Sequence, residues 1–571
     1  MNDQQDPPEQ KATEQPRQTE AAVPEPEPVA APGAAEPEPT PEAIEAEAEA
    51  PPAEEETEHP EAPPQVSGEQ SEAEEAPAEA GCRVPMRGMR WCGRPIHHPP
   101  AGVDERPVCL MHSKDPAKSD EEFQKEFERI LAEAGDGYAD FTGFVFPSAS
   151  CNGRTFVARC VFYRARFTQG AFFIGATFTK GAYFSSATFT QDAYFIGATF
   201  TKDAYFSSAR FTKDAYFISA TFTQAAGFYG ATFTQAAHLS EAAFMQDAVF
   251  AGTTFAGTTD FSHAIFRGTA HFAPLAGSEG AEAKPCEFKN KVLFQDARFQ
   301  YYADFRGAVF GESGNSTARP VFGLARFEKP ERVTFYKTWL GQTLFVNCDV
   351  SNLTFSDVEW GRDGERVRLY EETVALKDEA AEALRPPERS RDERNYRLIA
   401  ETYHQLKNNY DSRGDPWTAG EFHYGEMEMR RRSSRWPRIG LTALYKYASQ
   451  YGLSVARPLR WLAGVLLLFT LLYPLAGLRP RTQPLPPAPQ VKPIAYWNLP
   501  EATGWVPRPV CLLRHSAMTT LAVASLQREA AYYEPHYGVG RLLGILELAL
   551  TSTLAALFIL AVRRQFKRGG D

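Results

Sequence analysis

Over its first 80 residues the 571-residue chain has only two basic residues, Lys11 and Arg17, against 23 Asp or Glu. That stretch carries 2 − 23 = −21 in a background of Pro, Ala and Glu. So few apolar residues exclude a packed core and predict a disordered acidic tail over 1–80. The whole chain is −12, so the remainder sums to −12 − (−21) = +9 and is basic. No positively charged start leads into an apolar run, so no secretion signal is expected and the amino end is expected to stay in the cytosol. Cysteine is scarce as well, and eight scattered residues are too few for a disulfide framework. No phosphate loop or dinucleotide fingerprint occurs, and no nucleophile, base and orienting residue follow in a recognisable order, so the chain reads as no enzyme.

What is present is a repeat. Ala176 to Gly197 is followed at once by Ala198 to Ser219, a copy that differs at four of its 22 positions. Aromatic or leucine anchors recur from Phe167 through Phe178, Phe189, Phe200, Phe211, Phe222 and Leu239 to Phe272, in alternating steps of six and five. Two residues before each anchor sits Ala, or Thr at Thr253 and Thr259. A large residue at i with a small one at i−2 has the period of a short strand facing one core, and the longer step turns a corner. Steps of this size place successive anchors roughly 190° apart around an α-helix, on opposite faces, which excludes a helix.

These residues resemble the Phe-anchored variant of the pentapeptide-repeat proteins, with the pattern A-x-F-x-x, from residue 139 to about 310 and raggedly to about 360. The resemblance implies an all-β, right-handed quadrilateral β-helix over 139–360, with an insertion near 273–287. Four short faces make one coil, so the 22-residue duplication is one turn. Residues 22 apart then stack at about 4.8 Å. Phe178, Phe200 and Phe222 form one inward ladder and Phe189 and Phe211 another, each buried ring contributing about 1.5 to 3 kcal/mol. Outward positions stack too: Thr177 under Thr199 and Thr221, Tyr183 under Tyr205, and Tyr194 under Tyr216 on the opposite side. Some relatives are acidic rods that mimic DNA, but residues 139–272 carry nine Arg or Lys against seven Asp or Glu. That balance excludes a phosphate mimic, and no nucleic-acid partner is expected.

Ahead of the rod, residues 81–118 hold Cys82, Cys92, Cys109 and His112 with the spacing C-x9-C-x16-C-x2-H. A closing C-x2-H puts two soft ligands on one tight turn, and two further Cys complete the tetrahedron that zinc prefers. The short polar segment has little apolar material to fold around, so a structural zinc ion is a reasonable core. His97 and His98 are alternative fourth ligands or loop residues, and the thiols unliganded is the alternative to the whole site. Similar Cys and His clusters precede Phe-type pentapeptide rods. Cys151 takes an anchor slot and Cys160 an i−2 slot, so both should point inward. The segment 119–136 has an N-cap Ser, early acids, apolar Phe123, Phe127, Ile130 and Leu131 on one stripe and a terminal Gly, which predicts a helix capping the first coil. Residues 365–452 read as a helical linker containing an antiparallel hairpin, with Asp415 and Pro416 as cap and first position of its second helix.

Two uncharged or nearly uncharged runs close the chain, Trp461 to Leu478 and Leu542 to Val562, predicting membrane helices over 459–478 and 541–563. Arg430, Arg431, Arg432, Arg435, Arg438, Arg457 and Arg460 precede the first, and Arg563, Arg564, Lys567 and Arg568 follow the second, within a basic tail at 564–571. The positive-inside bias then makes both ends cytoplasmic, in a multi-pass protein expected in a bacterial inner membrane. The outer loop 479–540 contains a shorter apolar stretch, 510–527, able to re-enter the membrane. Helix, re-entrant segment, helix resembles the pore domain of potassium channels, which many Phe-type pentapeptide proteins carry at this end. A filter of the type T-x-G-Y-G lines the pore with carbonyls, whereas Thr519 and Thr520 are followed by LAVASLQ. Potassium selectivity is therefore not expected. Glu547, on one helical face with Thr551, is an acid inside a spanning segment and a candidate for a pore or gating role, or a plainly helix-bonded acid. Two functions stay open: a membrane-tethered scaffold binding a protein partner through the rod, and an oligomeric, non-selective conducting protein with the rod as its cytosolic sensor.

Overall fold

The computed structural model describes residues 81–569 except 89, 99–101, 275–283, 312–317, 365, 383–394, 435, 482–491, 528–530 and 537. The expectations for the tail at 1–80 and for most of the insertion near 273–287 lie outside the described residues. Among those described, the chain from Tyr138 to Ser356 winds into a parallel β-solenoid of four sheets, one of ten strands and three of eight. The first sheet contains Ala182–Tyr183 and Ala204–Tyr205, the second Thr188–Phe189 and Arg210–Phe211, the third Ala193–Tyr194 and Ala215–Tyr216, and the fourth Thr177–Phe178 and Thr199–Phe200. Their register is the 22-residue step, as in Ala193 beside Ala215 and Phe200 beside Phe222. Across the interruption after residue 274 the offset is 33, Phe255 beside Phe288, so 33 − 22 = 11 extra residues enter without breaking the inward ladder, and it returns to 22 with Phe288 beside Phe310.

The interior is largely aromatic. Phe189 stacks on Phe211 with centroids 4.7 Å apart and Phe184 on Phe206 at 5.0 Å, while Phe184 meets Phe195 across the axis edge to face, at 5.5 Å and 81°. Stacking along the axis with edge contacts across it suits the ring quadrupole in both directions. Alternation of six and five follows from two kinds of corner. After anchors of the first and third sheets the chain makes a type II turn, in which Ala187 N donates to Phe184 O at 3.0 Å and Ser186 takes φ 57°. The other corners are longer and tied by side chains. Thr190 Oγ1 donates to Phe167 O at 2.8 Å, and Asp214 Oδ1 accepts from Ala236 N at 2.9 Å, each bond reaching the neighbouring coil.

Both ends of the solenoid are covered. Helix α1 (Asp120–Ala134), whose Ser119 cap accepts from Glu122 N at 3.2 Å, lays Phe127 on Phe141 at 4.8 Å and Phe123 on Phe146 at 5.1 Å. At the opposite end lie α2 (Tyr370–Glu382), α3 (Tyr396–Ser412) and α4 (Pro416–Ser433), the last two forming the hairpin. Trp360 Nε1 donates to Tyr410 Oη at 2.9 Å and packs edge-on against Phe422, and Asn409 Nδ2 donates to Val350 O and Leu353 O at 2.9 and 2.8 Å. Buried residues thus form one continuous core from Cys82 to Met429.

The chain continues through α5 (Leu441–Ser449), α6 (Ala456–Ala476), α7 (Arg508–Ala524) and α8 (Val539–Gly569). Helices α6 and α8 are long and apolar enough to cross a membrane. Their bounds differ from the apolar runs. Gly477, at φ 82°, ends α6 early, and Leu478–Pro480 pairs antiparallel with Tyr533–Pro535 instead. Helix α8 runs on through Arg563 and Arg564, because charge alone does not break a helix. Residues 510–524 of the apolar stretch 510–527 lie in α7, which packs on α6 and donates Ser516 Oγ to Thr470 O at 2.6 Å.

Candidate functional site

A short hairpin brings the first two cysteines together. Cys82 N donates to Arg94 O and Gly93 N to Cys82 O, at 2.8 and 2.9 Å, and Cys92 N donates to Val84 O at 2.9 Å. A Cβ on Gly81 would lie 2.5 Å from Gly93 O, so the two strands approach this closely only because that residue is glycine. A tight turn, in which His112 N and Ser113 N both donate to Cys109 O, presents the other pair.

The ligand atoms of Cys82, Cys92, Cys109 and His112 all lie within 4.8 Å of one another. Cys92 and Cys109 Sγ are 3.7 Å apart, and His112 Nδ1 lies 3.5 Å from Cys82 Sγ and 3.2 Å from Cys109 Sγ. A tetrahedral ion with metal–sulfur bonds of about 2.3 Å holds its sulfurs about 3.8 Å apart, close to the thiol separation here. The imidazole is oriented for the task. Its Nε2–H donates to Thr142 O at 2.9 Å, on the first coil, which leaves the Nδ1 lone pair facing the thiols. Arg94 Nη1 donates to Cys92 Sγ at 3.3 Å while its Nε holds Glu126 of α1 at 2.8 Å. Of the three histidines considered, His97 is engaged by Asp115 at 3.2 Å and His98 is exposed, so His112 is the one that joins the cluster. Thr142 and Arg94 carry no spacing signal in the sequence and emerge only from the fold.

The solenoid's outer surfaces are unlike one another. On the third sheet Phe172, Tyr194, Tyr216 and His238 stack in line, with centroids 5.0, 4.9 and 4.8 Å apart and rings within 6° of parallel. Tyr194 and Tyr216 each donate their hydroxyl to the acid two residues earlier, Asp192 and Asp214, at 3.2 and 3.4 Å. Two residues beyond the first three rings stand Ile174, Ile196 and Ile218, a second column that the 22-residue period already displays in the sequence and that ends at Ser240 beyond His238. On the first sheet only Tyr183 and Tyr205 stack, at 5.6 Å and 27°, and Gly227 ends the column. The fourth sheet shows Thr177, Thr199 and Thr221, and the second alternates Arg166, Thr188 and Arg210.

Among the membrane-embedded candidates, Glu547 is fully buried between α6 and α8, where Tyr473 Oη donates to its Oε2. Thr551, also buried, donates Oγ1 to Glu547 O at 2.8 Å, so it faces its own helix backbone. Tyr473 lies 74 positions from Glu547 and was invisible as its partner.

A family model for pentapeptide repeats, described as nine copies, matches residues 162–210 and 195–243. This segment consists of pentapeptide repeats. No curated protein and no solved structure matches the chain. The β-solenoid extends well beyond the matched segment, and inward Phe stacking runs from Phe141 to Phe355.

Proposed function

We propose that the chain is a non-enzymatic, membrane-anchored scaffold whose pentapeptide-repeat solenoid stands in the cytosol and offers its third sheet to a protein partner. The carrying observation is the Phe172, Tyr194, Tyr216 and His238 stack beside Ile174, Ile196 and Ile218, a flat apolar strip on a rod whose interior is filled by its own rings. Stacked aromatic side chains give a partner large contact area at little loss of conformational freedom. Helices α6 and α8 serve as the tether, with Arg457 and Arg460 at the start of one and Arg563 and Arg564 near the end of the other, so both termini lie on the cytosolic side of a bacterial inner membrane.

Cys82, Cys92, Cys109 and His112 would hold zinc in a structural role. The thiol separation, the oriented His112 and the three soft donors support it, and four protein ligands leave no open position for chemistry on the ion. When bound, the ion supplies the cross-link that joins the 82–94 hairpin to the turn of Cys109 and His112, whose imidazole bonds Thr142 of the first coil.

Face-specific cross-linking tests the scaffold reading. A photoreactive residue at Tyr216 should capture a partner in cells, and Tyr194→Glu with Ile196→Glu should reduce capture at least tenfold. Tyr183→Glu with Tyr205→Glu, on the opposite face, should leave it intact. Equal capture through both faces, or a reconstituted oligomer that passes ionic current, would overturn the scaffold in favour of a conducting protein.

A further inference from the structure

Helix α5 is nine residues long, too short to span, yet it is among the most apolar surfaces outside the two long helices. Leu441, Leu444 and Tyr447, at i, i+3 and i+6, are 83, 62 and 55% exposed, and Ile439 just before them is 78% exposed. Ser449, on the far side of the helix, is fully buried against the rest of the chain, and buried Ala443 and Ala448 bound the stripe. An apolar stripe of this kind facing water is unfavourable, and it needs an occupant.

Its surroundings identify that occupant. The stripe is continuous with the outer surface of α6, where Trp461 donates Nε1 to Tyr447 O at 3.2 Å and Leu459 is exposed beside it. Charge around it has one sign. No Asp or Glu occurs between Glu428 and Glu501. Glu428 itself is saturated by Arg431, Lys446 and Tyr451, at 2.6, 3.0 and 3.0 Å. Arg438, Arg460 and Arg563 are exposed, and Trp436 adds an exposed aromatic ring on the same segment. Arg564 Nη1 donates to Tyr451 O at 2.6 Å, which fixes the end of α8 against the loop after α5. A second copy laid on this strip would bring arginine onto arginine. An anionic lipid surface satisfies the apolar stripe and the cations at once.

We infer that α5 lies in the headgroup layer of the inner leaflet, with Ile439, Leu441, Leu444 and Tyr447 dipped among the acyl chains and the flanking arginines on anionic lipid phosphates. Resting on the membrane-spanning reading of α6 and α8, the inference assigns a lipid-binding surface to a segment that does not cross the bilayer. A seated α5 sets the orientation of the solenoid, because α4 leads directly into it and Glu428 of α4 holds Lys446 of α5.

Amide hydrogen exchange on the full chain tests this, in nanodiscs of phosphatidylcholine alone or with phosphatidylglycerol added. Exchange across 441–449 should slow by about tenfold when the anionic lipid is present, since each basic residue near a charged bilayer surface contributes a several-fold preference. Leu441→Glu with Leu444→Glu should exchange fast in both membranes while still resisting alkaline extraction, and Arg438→Gln should weaken the lipid dependence. Wild-type rates equal in the two membranes, or a double variant protected as well as the wild type, would overturn the interfacial helix while leaving the spans standing. A chain that alkaline carbonate strips from membranes would overturn the spans and this inference with them.

Discussion

Gly197 and Ser219 occupy the same corner one coil apart, at φ 62° and 55°, and they are one of the four differences between the duplicated segments. The type II turn demands a positive φ at its third residue, and glycine meets that demand without strain. No atom lies within 4 Å of a Cβ built on Gly197, so Gly197→Ala tests backbone strain alone. Its expected cost is about 1 kcal/mol. Gly257 has a different reason to be glycine, since a Cβ there would stand 2.4 Å from the backbone of Gln235 in the coil below. Gly257→Ala should cost more, about 2 to 3 kcal/mol, because the corners of two neighbouring coils must part. Thermal unfolding of the two variants in mild detergent checks the order, and the reverse order would refute this account of the corners. The inward Phe ladder was legible residue by residue, but the two kinds of glycine are indistinguishable without the fold.

At the scale of elements, the two ends of the solenoid are closed by different chemistry. At the amino end α1 packs on the first coil, with the Cys and His cluster beside it. The purified chain should contain about one equivalent of zinc by elemental analysis, and both Cys82→Ser and Cys109→Ser should lose it. Zinc content unchanged by the two substitutions would remove the ion from the account. The carboxyl end depends on α2, whose Glu371 is buried and accepts a hydrogen bond from Phe345 N of the last coils. Burial pushes its carboxyl up to about 7, although the backbone bond to Phe345 pulls the other way. An unfolded Glu titrates near about 4.3, so the native state binds the proton more tightly. The resulting stabilisation is present at low pH and lost as pH rises through about 7. Glu428 is not a competing influence in that window, because Arg431 and Lys446 overcome its burial and hold it down to about 2. Protection of the Phe345 and Val346 amides, corrected for intrinsic exchange, should therefore fall between pH 5 and pH 8 by on the order of 2 kcal/mol. Glu371→Gln should flatten the profile, and an unchanged slope in that variant would refute the assignment. Capping helices could be read from Ser119 and from Asp415-Pro416, whereas the buried acid in the first turn of α2 could not.

Over the whole molecule, a 22-residue repeat, the inward Phe rings and two apolar helices were all determined by the sequence alone, while the four faces of the coil followed from its resemblance to pentapeptide-repeat proteins. Each is a regularity that repeats or persists along the chain: position i meets i+22 wherever the period holds, and an apolar run needs no partner to be recognised. The register change to 33 at Phe255 and Phe288 was expected only as an insertion, because a period reports that it is broken and not how the coil recovers. Tertiary structure alone decided which histidine joins the thiols, since His112 reaches Cys82 across 30 positions by way of two unrelated turns. It also paired Tyr473 with Glu547 and laid the apolar side of α5 beside Trp461. These contacts occur once and have no period. Their existence depends on the path the chain takes through several corners, and no local pattern of residues encodes that path.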